Sequence, residues 1–146
     1  KSIIYERQLI IKNPDSVRPW QHVLDTLSGY LILGKVLLLR KNKFKYPNWN
    51  FGPNVEKFYP VKYLLNNIEK YWKSKLKVKF AKKNKIQETN FLLLNNEKAK
   101  LELGWQPKLS VDKALDLTNE WYYTYHTNKK AIKDLTSSQI EDYKNL

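Results

Sequence analysis

The spacing of apolar and polar residues changes several times along the 146 positions, and each change predicts an element. Leu9-Ile10-Ile11 is a continuous apolar run closed by Asn13-Pro14-Asp15, which predicts a buried strand and a turn. Pro19 biases Arg18 toward extended backbone. From Val23 to Arg40 the period becomes helical, with Val23, Leu27, Tyr30, Leu31, Gly34 and Leu38 on one face. Leu33, Leu37 and Leu39 widen that face, so the helix is predicted to be buried on much of its circumference, and Ser28 and Gly29 leave room for another element. Trp49-Asn50-Phe51 predicts a short strand stopped by Gly52-Pro53. A second helix over 61–73 starts at Pro60 and carries Val61, Leu64, Leu65, Ile68 and Trp72 on one face. Leu76, Val78 and Phe80 alternate with Lys77 and Lys79, the pattern of a half-exposed strand. Residues 81–86 read as a polar loop and Phe91-Leu92-Leu93-Leu94 as a short buried strand. Asn95 is placed to cap a brief helix ending near Leu103, with Gly104 as its stop. Trp105-Gln106-Pro107 makes a turn, and Ser110 caps a third long helix. Thr136 and Gln139 have capping-box spacing for a short terminal helix. The sum is an α/β class chain in mixed α+β form, with few short strands, three long helices and a short terminal helix. That is the pattern of a segment that packs on something else.

Composition sharpens this picture. Apolar residues make up 42% and aromatics 14%, enough for a packed core. There is no cysteine and there are only two histidines, His22 and His126, which excludes disulfides, thiolate metal sites and a histidine-rich metal site. The longest apolar run, Tyr30 to Leu39, is broken by Lys35 and falls short of the roughly 20 residues a bilayer span needs. No signal peptide is visible, and a cytoplasmic protein without membrane contact is expected. The chain opens on Lys1 and has no methionine, so it reads as a piece of something longer.

The net charge is +13. A polyanion site would use it, but among 27 basic residues only Arg7, Arg18 and Arg40 are arginine. Arginine is the better bidentate reader of phosphates and bases. Lysine spread over a solvated surface is therefore the favoured reading, with clusters at Lys41, Lys43 and Lys45 and from Lys73 to Lys85. A nucleic-acid-binding module stands as the alternative from another class, and a basic rim around a small anion as a third reading.

Few motifs carry chemistry. The four glycines form no GxGxxG or GxxxxGK array, so a nucleotide-binding helix entrance is absent from this segment. Tyr71–Lys75 and Tyr125–Lys129 have the Tyr-x-x-x-Lys spacing in which an ammonium lowers a phenol pKa, but both sit in lysine-rich sequence where chance matches are frequent. Arg18-Pro19-Trp20-Gln21-His22 is the most unusual cluster. An arginine fixed in extended backbone beside a tryptophan suits a diphosphate or carboxylate clamp; an arginine paired with an acid, with Trp20 in the core, is the structural alternative. His22 reads as bonded to backbone before it reads as a base. Asn50 is either an amide donor to a ligand or a turn asparagine. Glu88 is either a ribose acceptor or a solvated acid. Trp121, Tyr122 and Tyr125 have helical spacing and read as core.

Taken together, these blocks resemble a family. Asn13-Pro14-Asp15-Ser16-Val17-Arg18-Pro19-Trp20-Gln21-His22-Val23-Leu24 with Leu27-Ser28-Gly29-Tyr30 closely resembles the C-terminal part of the CDP-glucose 4,6-dehydratases. Trp49-Asn50-Phe51-Gly52-Pro53, Leu103-Gly104-Trp105-Gln106-Pro107, and Ala114-Leu115 with Thr118, Trp121 and Tyr122 follow in the family's order. The Leu-Gly-Trp-x-Pro block is shared across the extended short-chain dehydrogenases. The resemblance implies an NAD-dependent lyase of deoxysugar and lipopolysaccharide biosynthesis that converts CDP-glucose to CDP-4-keto-6-deoxyglucose and water. The NAD, the Tyr-x-x-x-Lys base and the elimination acid and base would lie in an N-terminal Rossmann domain outside this sequence, through which a homodimer would also form. Residues 1–146 would be the substrate-binding portion, with no catalytic residue and no NAD of its own. Arg18 resembles the family arginine that reaches the pyrophosphate, and Asn50 the asparagine beside it. Glu88 falls in the stretch that lines the nucleotide, and Gln21 and His22 belong to the same substrate-binding block. Another sugar-nucleotide epimerase or reductase of the superfamily is the sibling reading.

Overall fold

The computed structural model describes residues 1–40, 44, 46–54, 57–81 and 89–146. Lys41, Lys43, Lys45, the loop residues 82–86 and Glu88 lie outside the described residues. The elements are β1 (Leu9–Ile11), α1 (Val23–Arg40), α2 (Val61–Trp72), β2 (Val78–Phe80), α3 (Glu97–Leu103), α4 (Val111–Thr127), a 3-10 turn at Lys129–Ala131, and α5 (Ile132–Lys144). The strands β1 and β2 pair in parallel, with Leu9 opposite Val78 and Ile11 opposite Phe80. Helix α2 packs on α4, α4 on α5, and α1 on α3.

Local chemistry explains most boundaries. Ser110 Oγ accepts from Lys113 N and opens α4. Gly104, at φ 67°, closes α3 in the left-handed conformation that glycine adopts without steric cost. The cap of α3 falls on Asn96 rather than Asn95. Asn95 Oδ1 instead accepts from Glu97 N, while Asn96 is buried and donates to Gly52 O at 2.8 Å. Thr136 does not start the terminal helix, which begins four residues earlier at Ile132. Its hydroxyl donates to Ile132 O and accepts from Trp121 Nε1, and Gln139 donates to Leu117 O and Glu120. Both residues thus tie α5 to α4.

Two predicted strands are absent. Residues 49–51 form no ladder because their side chains are used as plugs. The Phe51 ring seats against Gly29, where a Cβ would fall 2.4 Å from it, and meets Trp105 edge-on at 5.0 Å. Trp49 Nε1 donates to Glu102 on α3 at 2.8 Å. Residues 91–94 touch the backbone of Val17 through one bridge at Phe91, and Phe91, Leu92 and Leu93 are exposed. β1 is likewise not buried, since Ile10 points to solvent.

The core is small. Ala99, Leu103 and Trp105 form its buried centre, and Ile32, Leu33, Val36, Phe44, Trp49 and Phe51 pack around it. The predicted inner face of α1 is the outer one: Val23, Leu27, Tyr30, Leu31 and Leu38 are exposed. Helix α1 meets the core through the opposite side, around Asp25, Ser28, Gly29, Ile32 and Val36. The aromatic stripe of α4 is also not core, because Tyr122 and Tyr125 are exposed and Trp121 stacks on Tyr125 at 5.4 Å.

A buried polar hub fastens these parts. Asp25 Oδ1 accepts from Lys108 N and from Tyr143 Oη, each at 2.8 Å. Trp105 Nε1 donates to Ser28 Oγ at 2.9 Å, and Ser28 Oγ donates to Asp25 O at 2.7 Å. Burial, with the Asp25 carboxylate beside it, pushes the Tyr143 phenol up to about 12, so it stays a donor. Replacing Asp25→Ala orphans two buried donors at about 1–3 kcal/mol each. A loss of about 2–5 kcal/mol is expected, read as a lower denaturant midpoint at unchanged m-value, with Tyr143→Phe losing about 1 kcal/mol.

Candidate functional site

The segment that carries Arg18 is held by backbone before any side chain acts. Val61 N donates to Ser16 O at 3.0 Å, Val17 N to Asn90 O at 2.8 Å, and Leu92 N to Val17 O at 3.2 Å. Val17 is therefore clamped between residues 60–61 and 90–92, antiparallel to Pro60 and parallel to Phe91. The Arg18 guanidinium extends this clamp, with Nη1 donating to Val17 O at 2.8 Å and to Asn90 O at 3.4 Å. Trp20 Nε1 donates to Tyr59 O at 2.8 Å, which pins the next turn to the same neighbour. Arg18 is bonded to carbonyls, and Trp20 is half-buried rather than core.

Arg18 and Trp20 line a narrow crevice with Lys57, Tyr59 and Leu93. Pro53, Asn54, Lys57, Tyr59 and Val111 are shared with a wider cleft of about 500 Å³ that runs to Lys108 and Ser110 at the start of α4. The wall is cationic and aromatic: the Lys57 ammonium lies 5.7 Å from the Tyr59 ring centre, and Tyr59 and Tyr63 are in ring contact at 4.8 Å. Tyr63 also donates to Asp112, and that bond pushes its phenol up to about 12. The Arg18 guanidinium on the crevice, and the Lys57 ammonium that the crevice shares with the wider cleft at the start of the 17-residue α4, favour an anion.

The other named residues divide. Gln21 and His22 line a different cavity of about 540 Å³, walled by α1, α4 and α5 residues including Leu27, Trp121 and Ile140, with no lining residue in common with the Arg18 crevice. His22 is buried and its Nδ1 accepts from Leu24 N at 3.3 Å. Gln21 Nε2 is buried with no hydrogen-bond partner among the described residues. Asn50 is exposed and lines neither cavity. The structure thus brings none of Gln21, His22 or Asn50 to the Arg18 crevice. Neither Tyr-x-x-x-Lys pair makes an activated base. Lys75 binds Glu69 at 2.9 Å, and burial with nearby Glu120 and Asp116 pushes the Tyr71 phenol up, not down. Lys129 lies over the face of the Tyr125 ring at 5.4 Å, a cation–π contact rather than an approach to the hydroxyl.

Sequence reasoning missed Lys57, Tyr59 and Asp25. The first two lie on a stretch without periodicity and are recruited by the Trp20–Tyr59 bond. Asp25 sits on a helix otherwise read as apolar, and a lone acid there was the available signal. Among the described residues, Lys62, Lys75, Lys77 and Lys144 pair with Asp15, Glu69, Glu6 and Glu141.

The element order and architecture match part of solved dehydratase and epimerase structures. The chain resembles the NAD-bound dTDP-glucose 4,6-dehydratase of Bacillus anthracis with a TM-score of 0.63 and 23% identity, covering 92% of this chain and 39% of that one. It also resembles the UDP-glucuronic acid 4-epimerase of Bacillus cereus, solved with UDP-glucuronic acid and NAD, with a TM-score of 0.63 and 15% identity, covering 84% of this chain and 37% of that one. The particular relationship in sequence is to CDP-glucose 4,6-dehydratase: the chain is 34% identical to the Salmonella typhimurium enzyme over 143 residues, which is 98% of this chain and 39% of that protein. The chain therefore spans about two fifths of the length of the curated relative it matches. No protein-family model matches it.

Burial lowers the His22 pKa below its ordinary 6.5, opposed by the nearby Asp25 carboxylate. As pH falls through that range the unfolded chain takes up a proton that the folded chain refuses, so stability declines with acidification. Urea titrations from pH 7.5 to 5 are expected to show this decline, and His22→Gln is expected to flatten it.

Proposed function

We propose that residues 1–146 are the C-terminal substrate-binding portion of a CDP-glucose 4,6-dehydratase and that the Arg18 crevice receives the diphosphate of the sugar nucleotide. The observation that carries this is the double anchoring of Arg18. Its segment is clamped on both sides and its guanidinium is oriented by two carbonyls, so little side-chain freedom is left to lose on binding. The same residue is the one that the family resemblance assigns to the pyrophosphate.

In this reading each residue has a limited task. Arg18 and Lys57 meet the anionic oxygens, and the start of α4 adds its partial positive charge. Trp20 holds the crevice to Tyr59. Gln21 and His22 act from beneath, fixing the turn that carries Arg18 into α1. For Asn50 and Glu88 the family resemblance alone suggests substrate contact, and neither is counted in the crevice. NAD is assigned to the nucleotide-binding domain of the whole enzyme. The hydride and elimination chemistry of the whole enzyme is assigned to a nucleotide-binding domain, and this chain binds and orients the substrate. The full enzyme is proposed to work in the cytoplasm as a homodimer.

Calorimetric titration with CDP-glucose tests this. Binding is expected to prefer CDP-glucose over dTDP-glucose, and Arg18→Ala is expected to weaken it roughly tenfold to a hundredfold, the loss of one or two charge-assisted hydrogen bonds. Equal binding of CDP-glucose by wild type and Arg18→Ala would remove the assignment.

A further inference from the structure

Asn96, buried at the head of α3, turns its amide nitrogen toward the turn at 52–54. Nδ2 donates to Gly52 O at 2.8 Å and to Asn54 Oδ1 at 3.4 Å. The first bond decides the second. A backbone carbonyl only accepts, so the Asn96 atom that meets Gly52 O is its nitrogen. That nitrogen only donates, so the Asn54 atom that meets it is an oxygen. The Asn54 carboxamide is thereby oriented. Its Nδ2, with two N–H groups, is the outer end and has no partner among the described residues. The turn itself is held. Gly52 is buried, and a Cβ on it would fall 2.6 Å from Leu94 Cβ. Pro53 fixes its own φ. The Asn54 donor is therefore presented with little freedom left to lose on binding.

Asn54 lies where the Arg18 crevice opens into the wider cleft, and like Lys57 it lines both. No aspartate or glutamate among the described residues lines either cavity. We propose that Asn54 Nδ2 donates to an oxygen of the ligand's diphosphate, which makes Asn54 a binding residue of this site beside Arg18 and Lys57. The inference rests on the function proposed above and adds a neutral donor to its two cations. Arg18 and Lys57 neutralise charge. The carboxamide adds none, but it asks for an acceptor at one fixed place. A diphosphate oxygen accepts without donating, whereas a hydroxyl also brings a proton that needs an acceptor of its own. With the Asn54 oxygen already taken by Asn96, the amide offers the ligand a donor and nothing else, which suits the diphosphate oxygen.

Asn54→Asp tests this without disturbing the turn. The aspartate keeps one oxygen toward Asn96 Nδ2 and puts its second, negatively charged oxygen where the donor stood. The chain is titrated by calorimetry with CDP-glucose and with CDP. Asn54→Ala is expected to weaken both ligands about threefold to tenfold, the loss of one hydrogen bond. Asn54→Asp is expected to weaken both about a hundredfold, because like charges then face each other. The gap between the two variants is expected to narrow as added salt screens the carboxylate. The denaturant midpoint of Asn54→Asp is expected to match wild type. Wild-type affinity in Asn54→Asp would overturn the proposal, and so would a loss that affects CDP-glucose but spares CDP. A binding loss that comes with a lowered midpoint would also overturn it, since Asn54 would then only be holding the turn. Arg18→Ala separates this from the function itself. Weakened binding in Arg18→Ala with none in Asn54→Asp removes Asn54 alone. No binding of CDP-glucose by wild type, or binding indifferent to Arg18→Ala, removes the substrate reading and this inference with it.

Discussion

The start of α1, which follows directly on the candidate site, depends on one buried carboxylate. Asp25 lies in the first turn of α1, 1% exposed, and receives donors from the loop after α3 and from the last helix. Its own backbone carbonyl accepts from Ser28 and lies 3.2 Å from Trp105 Nε1. Two segments far apart in sequence, residues 105–108 and Tyr143, thus converge on one turn of helix. The three residues immediately before α1 are Trp20, Gln21 and His22, so fixing the start of the helix also fixes the strap on which Arg18 sits. One oxygen of this buried carboxylate, Oδ1, takes both donors from the packing that buries it, and Oδ2 has no partner among the described residues.

From this hub the molecule has two sides with different physics. The Arg18 side is polar, with backbone clamps, a guanidinium, an ammonium, tyrosine rings and a helix N-terminus. The α1 outer side is apolar and wide, with one unpartnered amide. The block from Arg18 to His22 bridges the two, with Arg18 and Trp20 on one cavity and Gln21 and His22 on the other.

Much of the architecture was legible in the residues. The bounds of α1, the Pro60 start of α2, the Ser110 cap and the Gly104 stop follow from local chemistry that tertiary structure did not override. The tight approach at Gly29 was also visible. The direction in which α1 faces was not, because periodicity finds apolar stripes without saying which of two is covered. The strands expected at 49–51 and 91–94 failed for a related reason. Short aromatic and leucine runs fit a strand, a plug or an exposed docking patch equally well, and only the partner decides. At the site, Arg18 could be read from its proline and tryptophan. Lys57 and Tyr59 could not, since they reach it through the fold and not through sequence spacing.

The measurement that bears most directly on this division is an amide NMR titration of the isotope-labelled chain with CDP-glucose. The account predicts shifts confined to Arg18, Trp20, Lys57, Tyr59 and the first turn of α4, while Leu27, Tyr122, Thr136 and Ile140 stay unmoved. Shifts concentrated on the α1–α4–α5 cavity, with Arg18 and Lys57 silent, would contradict it.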